Sequence, residues 1–209
     1  MTIKTSLPLR SVDSMDELQS AFSLKAAAGL LLAMAGGAVL AAVALPALLP
    51  GLAASLLSAE PKAYWYLSRA SAFAAFALMW ASMIFGLLMT SRTARVWPGG
   101  PAAFDLHQFT SLLGLAVALF HAVVLIGDKY IGYTLSNILL PFNSASYKPL
   151  WVGIGQVAFY IAILVSFTFY IRRQISQRGW RLVHFASFAL FVMALAHGVL
   201  SGTDTGTTC

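Results

Sequence analysis

Five apolar stretches, each long enough to cross a lipid bilayer as a helix, constrain the fold of this chain more than any other feature. They are Ala26–Leu49, Ala63–Thr90, Leu106–Gly127, Leu150–Ile171 and Leu182–Leu200. Only the second contains a formally charged side chain, that of Arg69. The whole sequence is 59% hydrophobic and 10% charged, far from the composition of a soluble domain. We therefore predict an all-α integral membrane bundle of five transmembrane helices surrounded by lipid.

The predicted spans divide the sequence into one membrane domain and two short flanking segments. Residues 26–200 form the bundle, residues 1–25 precede it, and residues 201–209 form a tail on the extracytoplasmic side. In the first segment, Ser14 and Glu17 match a capping box that begins an amphipathic pattern. We expect a short helix lying on the cytoplasmic surface of the membrane, with a frayed tail as the alternative.

The distribution of basic residues predicts the orientation of the bundle. One side receives the N-terminus and the loops at 91–105 and 172–181, with nine basic residues: Lys4, Arg10, Lys25, Arg92, Arg95, Arg172, Arg173, Arg178 and Arg181. The other side receives four: Lys62, Arg69, Lys129 and Lys148. Since basic loops stay in the cytoplasm, we place the N-terminus there. Topology and anionic headgroups account for the net charge of +6, and no nucleic-acid partner is expected.

All four histidines lie inside two of the apolar stretches, one pair in each. His107 and His121 are 14 residues apart in the third span, and His184 and His197 are 13 apart in the fifth. At ~1.5 Å rise per residue, each pair separates its imidazoles by ~20 Å along the helix axis. The third and fifth spans both leave the cytoplasmic side and therefore run parallel. His107 then shares an inner level with His184, and His121 shares an outer level with His197.

The angular spacing of the two pairs differs. Fourteen residues return to within ~40° of the starting direction, so His107 and His121 share one helix face. Thirteen residues leave His197 ~140° from His184, so a bulge, a crossing angle or different side-chain torsions are needed to aim both rings at common partners. Gly114 lies midway between His107 and His121. It either leaves room for the edge of a cofactor or permits close helix packing.

Two imidazoles at each level suit haem iron better than another metal. Structural zinc takes four protein ligands and catalytic zinc three, and neither predicted span that holds a histidine pair contains a carboxylate or a thiolate. Iron that already holds four pyrrole nitrogens needs only two axial ligands. We therefore predict two haem b groups, one ligated by His107 and His184 and the other by His121 and His197. The alternative is that these histidines only form hydrogen bonds between helices.

Other residues around the bundle can be assigned roles near these groups. Arg69, near the outer end of the second span, can pair with an outer-haem propionate or extend to the membrane surface. The basic residues of the 172–181 loop can pair with inner propionates, although topology alone explains them. The half-apolar connection between Asp128 and Pro149 is expected to pack over the outer mouth of the bundle.

The sequence lacks features that would attach haem covalently or bind a soluble electron donor. Cys209 is the single cysteine, and no C-x-x-C-H motif is present, so any haem is held by coordination alone. No G-x-G-x-x-G motif follows a strand pattern. We therefore expect the donor to be bound by another polypeptide.

The paired histidines resemble those of the ferric reductase-like transmembrane domain, a family that includes NADPH oxidases, ferric reductases and many bacterial membrane proteins. The similarity covers about residues 60–204 and extends to four further segments: Ser68–Ser71, Pro149–Gly155, Arg178–His184 and His197–Asp204. The resemblance implies two b-type haems that pass electrons from the inner to the outer face of a bacterial plasma membrane. Family members usually have six spans, and many continue into a flavin- and NADPH-binding domain, whereas five spans are predicted here.

These observations favour a di-haem cytochrome b subunit that borrows its donor, and with it any enzymatic activity, from a partner. Quinol or a separate flavoprotein is the expected donor. Ferric iron, oxygen or a partner metalloprotein is the expected acceptor. A non-redox accessory subunit and a proton pathway built on histidines are the alternatives.

Overall fold

A computed structural model describes residues 23–48, 54, 62–91, 93–144 and 147–202 of the chain, which form helices and turns without a β-strand. The helices are α1 (Leu24–Leu48), α2 (Lys62–Thr90), α3 (Gly100–Val124), α4 (Leu135–Leu139), α5 (Pro149–Thr168), α6 (Arg172–Ile175) and α7 (Gln177–Ser201). Short 3₁₀ turns follow α2 and α3, at Thr93–Arg95 and Leu125–Gly127. The predicted N-terminal helix of residues 1–25 and Cys209 fall almost entirely outside the described residues.

Four helical segments are long and apolar enough to cross a membrane: Ala63–Thr90, Gly100–Gly127, Pro149–Thr168 and Gln177–Ser201. They confirm the all-α membrane character expected from the sequence. Many large apolar side chains point away from the protein on these helices, including Phe73, which is 71% exposed, and Leu182, which is 76% exposed. Such a surface suits lipid rather than water. The predicted first span corresponds to α1, and its crossing of the membrane stays a prediction.

Two helices begin earlier than the apolar pattern predicts. The third predicted span starts at Leu106, but α3 starts at Gly100, where Gly99 has a φ of 102° and Pro101 occupies the first turn. This is the usual position for proline in a helix, because the missing N–H has no helical partner there. Similarly, α7 starts at Gln177, so its first turns carry charged residues beyond the apolar stretch.

The spanning helices form two antiparallel hairpins, α2 with α3 and α5 with α7. The interior of the second hairpin is a cluster of Ala158, Val165 and Leu190. Contacts between the hairpins are sparser, and α3 and α7 have almost no close backbone approach to each other. Side chains bridge the hairpins instead, as where Phe76 stacks on Phe191 with ring centroids 5.4 Å apart.

The connection between α3 and α5 is fastened to both hairpins. Gln156 of α5 donates its side-chain N–H to the carbonyl oxygens of Asn137 and Ile138, at 2.6 and 2.8 Å. The hydroxyl of Tyr147 donates to the carbonyl oxygen of Ser201 at 2.6 Å, and its ring meets that of Trp65 edge-on. This segment therefore packs across the end of the bundle where α3 and α7 finish, as the sequence predicts.

Candidate functional site

The structure brings the four histidines together as two pairs between α3 and α7. The ring centroids of His107 and His184 are 6.1 Å apart, with 68° between the ring planes. Those of His121 and His197 are 6.2 Å apart, with 70° between the planes. This is the pairing that parallel third and fifth spans predict. The bundle therefore contains two similar histidine pairs, one at each of two depths.

The separation within each pair matches that of two imidazoles on one metal ion. With metal–nitrogen bonds of about 2.0 Å, and about 1.1 Å from each nitrogen to its ring centre, opposed ligands place their ring centres about 6.2 Å apart. The observed centroid distances of 6.1 and 6.2 Å are compatible with this value, and they also fall within the range of edge-to-face ring packing. The angle between the planes is no obstacle, because axial ligation leaves each imidazole free to rotate about its bond to the metal.

His107 is held from α2 through its Nδ1 atom. That nitrogen lies 2.8 Å from the carbonyl oxygen of Ser82 and 3.1 Å from the Ser82 hydroxyl. The Ser82 hydroxyl also lies 2.6 Å from that of Ser111, which in turn donates to the carbonyl oxygen of His107 at 2.7 Å. The ring therefore contacts one carbonyl and one hydroxyl of Ser82, and the Ser111 hydroxyl in turn contacts that of Ser82.

His121 repeats this arrangement one level away. Its Nδ1 atom lies 2.8 Å from the carbonyl oxygen of Ser68 and 3.0 Å from the Ser68 hydroxyl. Ser68 and Ser82 are 14 residues apart on α2, as His121 and His107 are on the antiparallel α3. Because the spacing is equal on the two antiparallel helices, both histidines of α3 have the same contacts with a serine of α2.

His197 is held from the second hairpin. Its Nδ1 atom lies 2.8 Å from the carbonyl oxygen of Trp151, in the first turn of α5. Its ring lies against Gly155, where an added Cβ would come within 2.6 Å of both Cγ and Nδ1 of the imidazole. The hydroxyl of Ser201 donates to the carbonyl oxygen of His197. A glycine is therefore required at position 155 for the ring to reach its carbonyl partner.

These carbonyl contacts determine which nitrogen of each ring is available to a ligand. A carbonyl oxygen only accepts hydrogen bonds, so Nδ1 carries the proton in His107, His121 and His197. The Nε2 atom of each ring then has a free lone pair. Metal-bound histidines are commonly oriented in this way, with the second ring nitrogen donating to a carbonyl or carboxylate. The residues present therefore fit axial ligation of a haem iron.

His184 is supported differently, by stacking rather than by a carbonyl. Its ring lies parallel to that of Trp180, one turn earlier on α7, with centroids 5.2 Å apart and 29° between the planes. The ring of His197 instead crosses to α5. Of the two histidine rings of α7, that of His197 is therefore held by a contact on α5, and that of His184 by a residue of α7 itself. Helix α7 is a single α-helix from Gln177 to Ser201, and both of its histidine rings meet their partners on α3, so the 13-residue spacing does not prevent the pairing.

The structure places Gly114 against α2. A Cβ at position 114 would lie 3.3 Å from the Cβ of Leu78, 3.6 Å from the backbone nitrogen of Met79 and 3.7 Å from the carbonyl oxygen of Ala75, all on α2. The glycine therefore allows α2 and α3 to approach closely, which is the helix-packing alternative left open by the sequence. The contact with a haem, which is the other alternative that the sequence allows for Gly114, stays a prediction.

Arg69 lies at the level of the second histidine pair. It follows Ser68, whose hydroxyl and carbonyl contact His121, and its side chain is half-buried. Its pairing with a porphyrin propionate stays a prediction.

Within the part of the chain that the structure describes, no three or more histidine, cysteine, aspartate or glutamate side chains form a metal-binding cluster. A zinc site of the usual three or four protein ligands therefore has no place there. Each histidine pair supplies two ligands, the number that haem iron takes from a protein chain when both axial positions are filled.

Sequence reasoning missed the residues that orient the histidines. Ser68 and Ser82 had a usable signal, because their 14-residue spacing repeats that of His107 and His121. Gly155 stands in a segment that carries the family resemblance, but its contact with His197 depends on how α5 packs against α7. The sequence signal for Trp180 was its position four residues before His184, one helical turn earlier.

Three comparisons with known proteins were made, and no family model, curated protein or solved structure matches this chain. Its function is therefore inferred from the two histidine pairs and the groups that hold them.

Proposed function

We propose that this chain is a di-haem b-type membrane cytochrome subunit of the ferric reductase-like kind. His107 and His184 would ligate an inner haem, and His121 and His197 an outer one. The observation that carries this proposal is the pair of imidazole–imidazole separations of 6.1 and 6.2 Å. Three of the four rings also have Nδ1 engaged by a carbonyl, which leaves Nε2 as the ligating atom.

The proposed arrangement in the membrane has five spans, with α1 as the first. The N-terminus and the nine basic residues of its side would face the cytoplasm, following the charge bias of the loops. The compartment would be the inner membrane of a bacterium. The segment between α3 and α5 would then cover the outer histidine pair from the extracytoplasmic side.

Haem supplies one-electron redox chemistry at each level when it is bound. The residues of this chain hold the axial rings in a fixed orientation, and the surrounding apolar helices keep water away. The 14-residue rise along α3 separates the two levels by ~20 Å between ring positions. Haem held at each level would supply the electron carriers, and the spacing of His107 and His121 along α3 would set the distance between them.

The donor and the acceptor would be other molecules. Quinol in the bilayer or a separate flavoprotein would reduce the inner level, and the outer level would pass electrons to ferric iron, oxygen or a partner metalloprotein. On this proposal the chain is the electron-carrying part of an oxidoreductase.

A proton pathway through the histidines is a weaker candidate, and a specific contact argues against it. A relay needs each imidazole to accept a proton at one nitrogen and release one from the other. In His197, Nδ1 faces the backbone carbonyl of Trp151, which cannot deliver a proton, so a relay through all four rings would be interrupted there.

Transmembrane electron transfer tests the proposal directly. The purified chain would be placed in sealed liposomes loaded with ferricyanide, and dithionite would be added outside. We expect reduction of the trapped ferricyanide with the native chain and with Trp80→Phe, a change on the exposed face of α2. The variants His107→Ala and His197→Ala should each abolish it. Equal rates in all four preparations would contradict the proposal.

A further inference from the structure

Trp180 contains a buried polar atom that lacks a partner. Its side chain is 8% exposed, and its indole N–H forms no hydrogen bond. No other buried side-chain nitrogen or oxygen in the described part of the chain is left unpaired in this way. Burying a donor without an acceptor is costly, and a native structure usually offers a specific explanation for it.

The indole lies beside a proposed haem ligand. It stacks on His184 with ring centroids 5.2 Å apart, and His184 in turn lies 6.1 Å from His107. His184 is also the histidine whose ring is supported by stacking rather than by a carbonyl contact. Trp180 therefore borders the same space as the proposed inner haem.

Basic side chains lie at the end of the bundle that contains Trp180, where α5 ends and α7 begins. The guanidinium of Arg172 is 4.0 Å from the centre of the Phe169 ring and donates to the Phe169 carbonyl oxygen at 3.1 Å. The ring of Phe169 contacts that of Trp180, with centroids 6.2 Å apart. Next to these contacts is a cavity of about 480 Å³, which is lined by Arg172, Arg173, Ser176 and Gln177. The surroundings of Trp180 thus favour an anionic acceptor.

We propose that the indole N–H of Trp180 donates a hydrogen bond to a carboxylate of the porphyrin bound between His107 and His184. This inference rests on the proposed function. Haem b has carboxylates at its edge, and a ring stacked on an axial ligand lies within reach of that edge. A lipid phosphate is the competing acceptor, but the burial of Trp180 against His184 favours a group inside the bundle.

The hydrogen bond has a measurable electrostatic consequence. An ionised carboxylate close to the iron stabilises the ferric state, and donation from an N–H draws part of that charge away. Removing the donor should therefore lower the reduction potential of the inner haem. The outer haem, one level away along α7, should keep its potential.

The variant Trp180→Phe tests this because it keeps an aromatic ring against His184 and removes the N–H. Redox titration of the purified full chain, followed at the haem absorption bands, should show one of two potentials shifted downward. The control Trp80→Phe removes an indole whose side chain is 55% exposed on α2 and should shift neither. Unchanged potentials in Trp180→Phe, with both haems retained, would overturn the inference. A native chain without haem would instead overturn the proposed function.

A second measurement decides the matter if Trp180→Phe does not retain haem. Ultraviolet resonance Raman spectra report hydrogen bonding of indole N–H groups. The band of Trp180 is assigned in haem-free protein from the difference between the native chain and Trp180→Phe, and in the native chain this band should shift when haem is added. A band that is already hydrogen-bonded in haem-free protein in liposomes, and does not move on adding haem, would assign the acceptor to lipid and refute the inference.

Discussion

The imidazole of His197 occupies the space that a side chain on Gly155 would fill. An added Cβ would lie 2.6 Å from Cγ and Nδ1 of the ring, closer than atoms of this kind approach in proteins. The same ring keeps a 2.8 Å contact with the carbonyl oxygen of Trp151, one turn earlier on α5. The orientation of this histidine is therefore set by a glycine on another helix.

Gly155→Ala should displace His197 and selectively weaken the outer haem. Loss of an orienting contact lowers metal affinity about 10- to 100-fold, so the purified variant should retain mainly one haem. Gly86→Ala is the matched control, because its Cβ would lie an ordinary 3.4 Å from Cε1 of His107. Haem content measured after purification checks both, and full loading of Gly155→Ala would count against the geometry.

Substitution of single histidines should sort them into two pairs. His107→Ala and His184→Ala should lose the same low-spin haem, and His121→Ala and His197→Ala should lose the other, because each iron needs both of its axial rings. Electron paramagnetic resonance of the oxidised variants distinguishes the two signals. If His107→Ala and His197→Ala removed the same signal, the proposed ligation would be wrong.

Ser68→Ala and Ser82→Ala should have small and similar effects. Each removes a hydroxyl from the Nδ1 side of a histidine and leaves the carbonyl contact intact. Side-chain hydrogen bonds between membrane helices contribute about 0.6 kcal/mol on average, so both variants should keep two haems and unfold slightly more easily. Thermal release of haem provides the measurement. Complete loss of a haem from either variant would show that the hydroxyl, and not the carbonyl, holds the ring.

Gly114→Leu should destabilise the bundle without changing the haem potentials. The added side chain would meet α2 at Leu78 and Met79, and overpacking of this kind costs about 1–3 kcal/mol. Gly114→Ala should be far milder, because its Cβ would need only a small shift of Leu78. Thermal unfolding and redox titration on the same samples separate the two effects. A changed potential at unchanged stability would place Gly114 against a cofactor after all.

Much of the fold could be predicted because membrane helices follow directly from apolar length. The pairing of His107 with His184 also followed, since two helices leaving the same side must run parallel. The start of α3 at Gly100 could not be read from apolarity, because it depends on Pro101 and on the backbone at Gly99. Helix α3 thus extends beyond its apolar stretch because the local backbone conformation permits an earlier start.

The supporting contacts were harder to predict, for a physical reason. Backbone carbonyls such as that of Trp151 exist at every position, so no residue type marks the one that meets His197. Ser68 and Ser82 are the exception, because their spacing on α2 repeats that of the histidines on α3. The stacking of Trp180 on His184 could not be predicted either, because helical periodicity leaves the side-chain torsions of His184 open.

The haem content of the isolated chain tests the central claim most directly. The full-length protein would be produced with ample haem supply, purified in detergent, and assayed by pyridine haemochrome and by spectra of the oxidised and reduced forms. We predict two haem b groups per chain, both low-spin with two histidine ligands. A protein that carries no iron-porphyrin under these conditions would contradict the account.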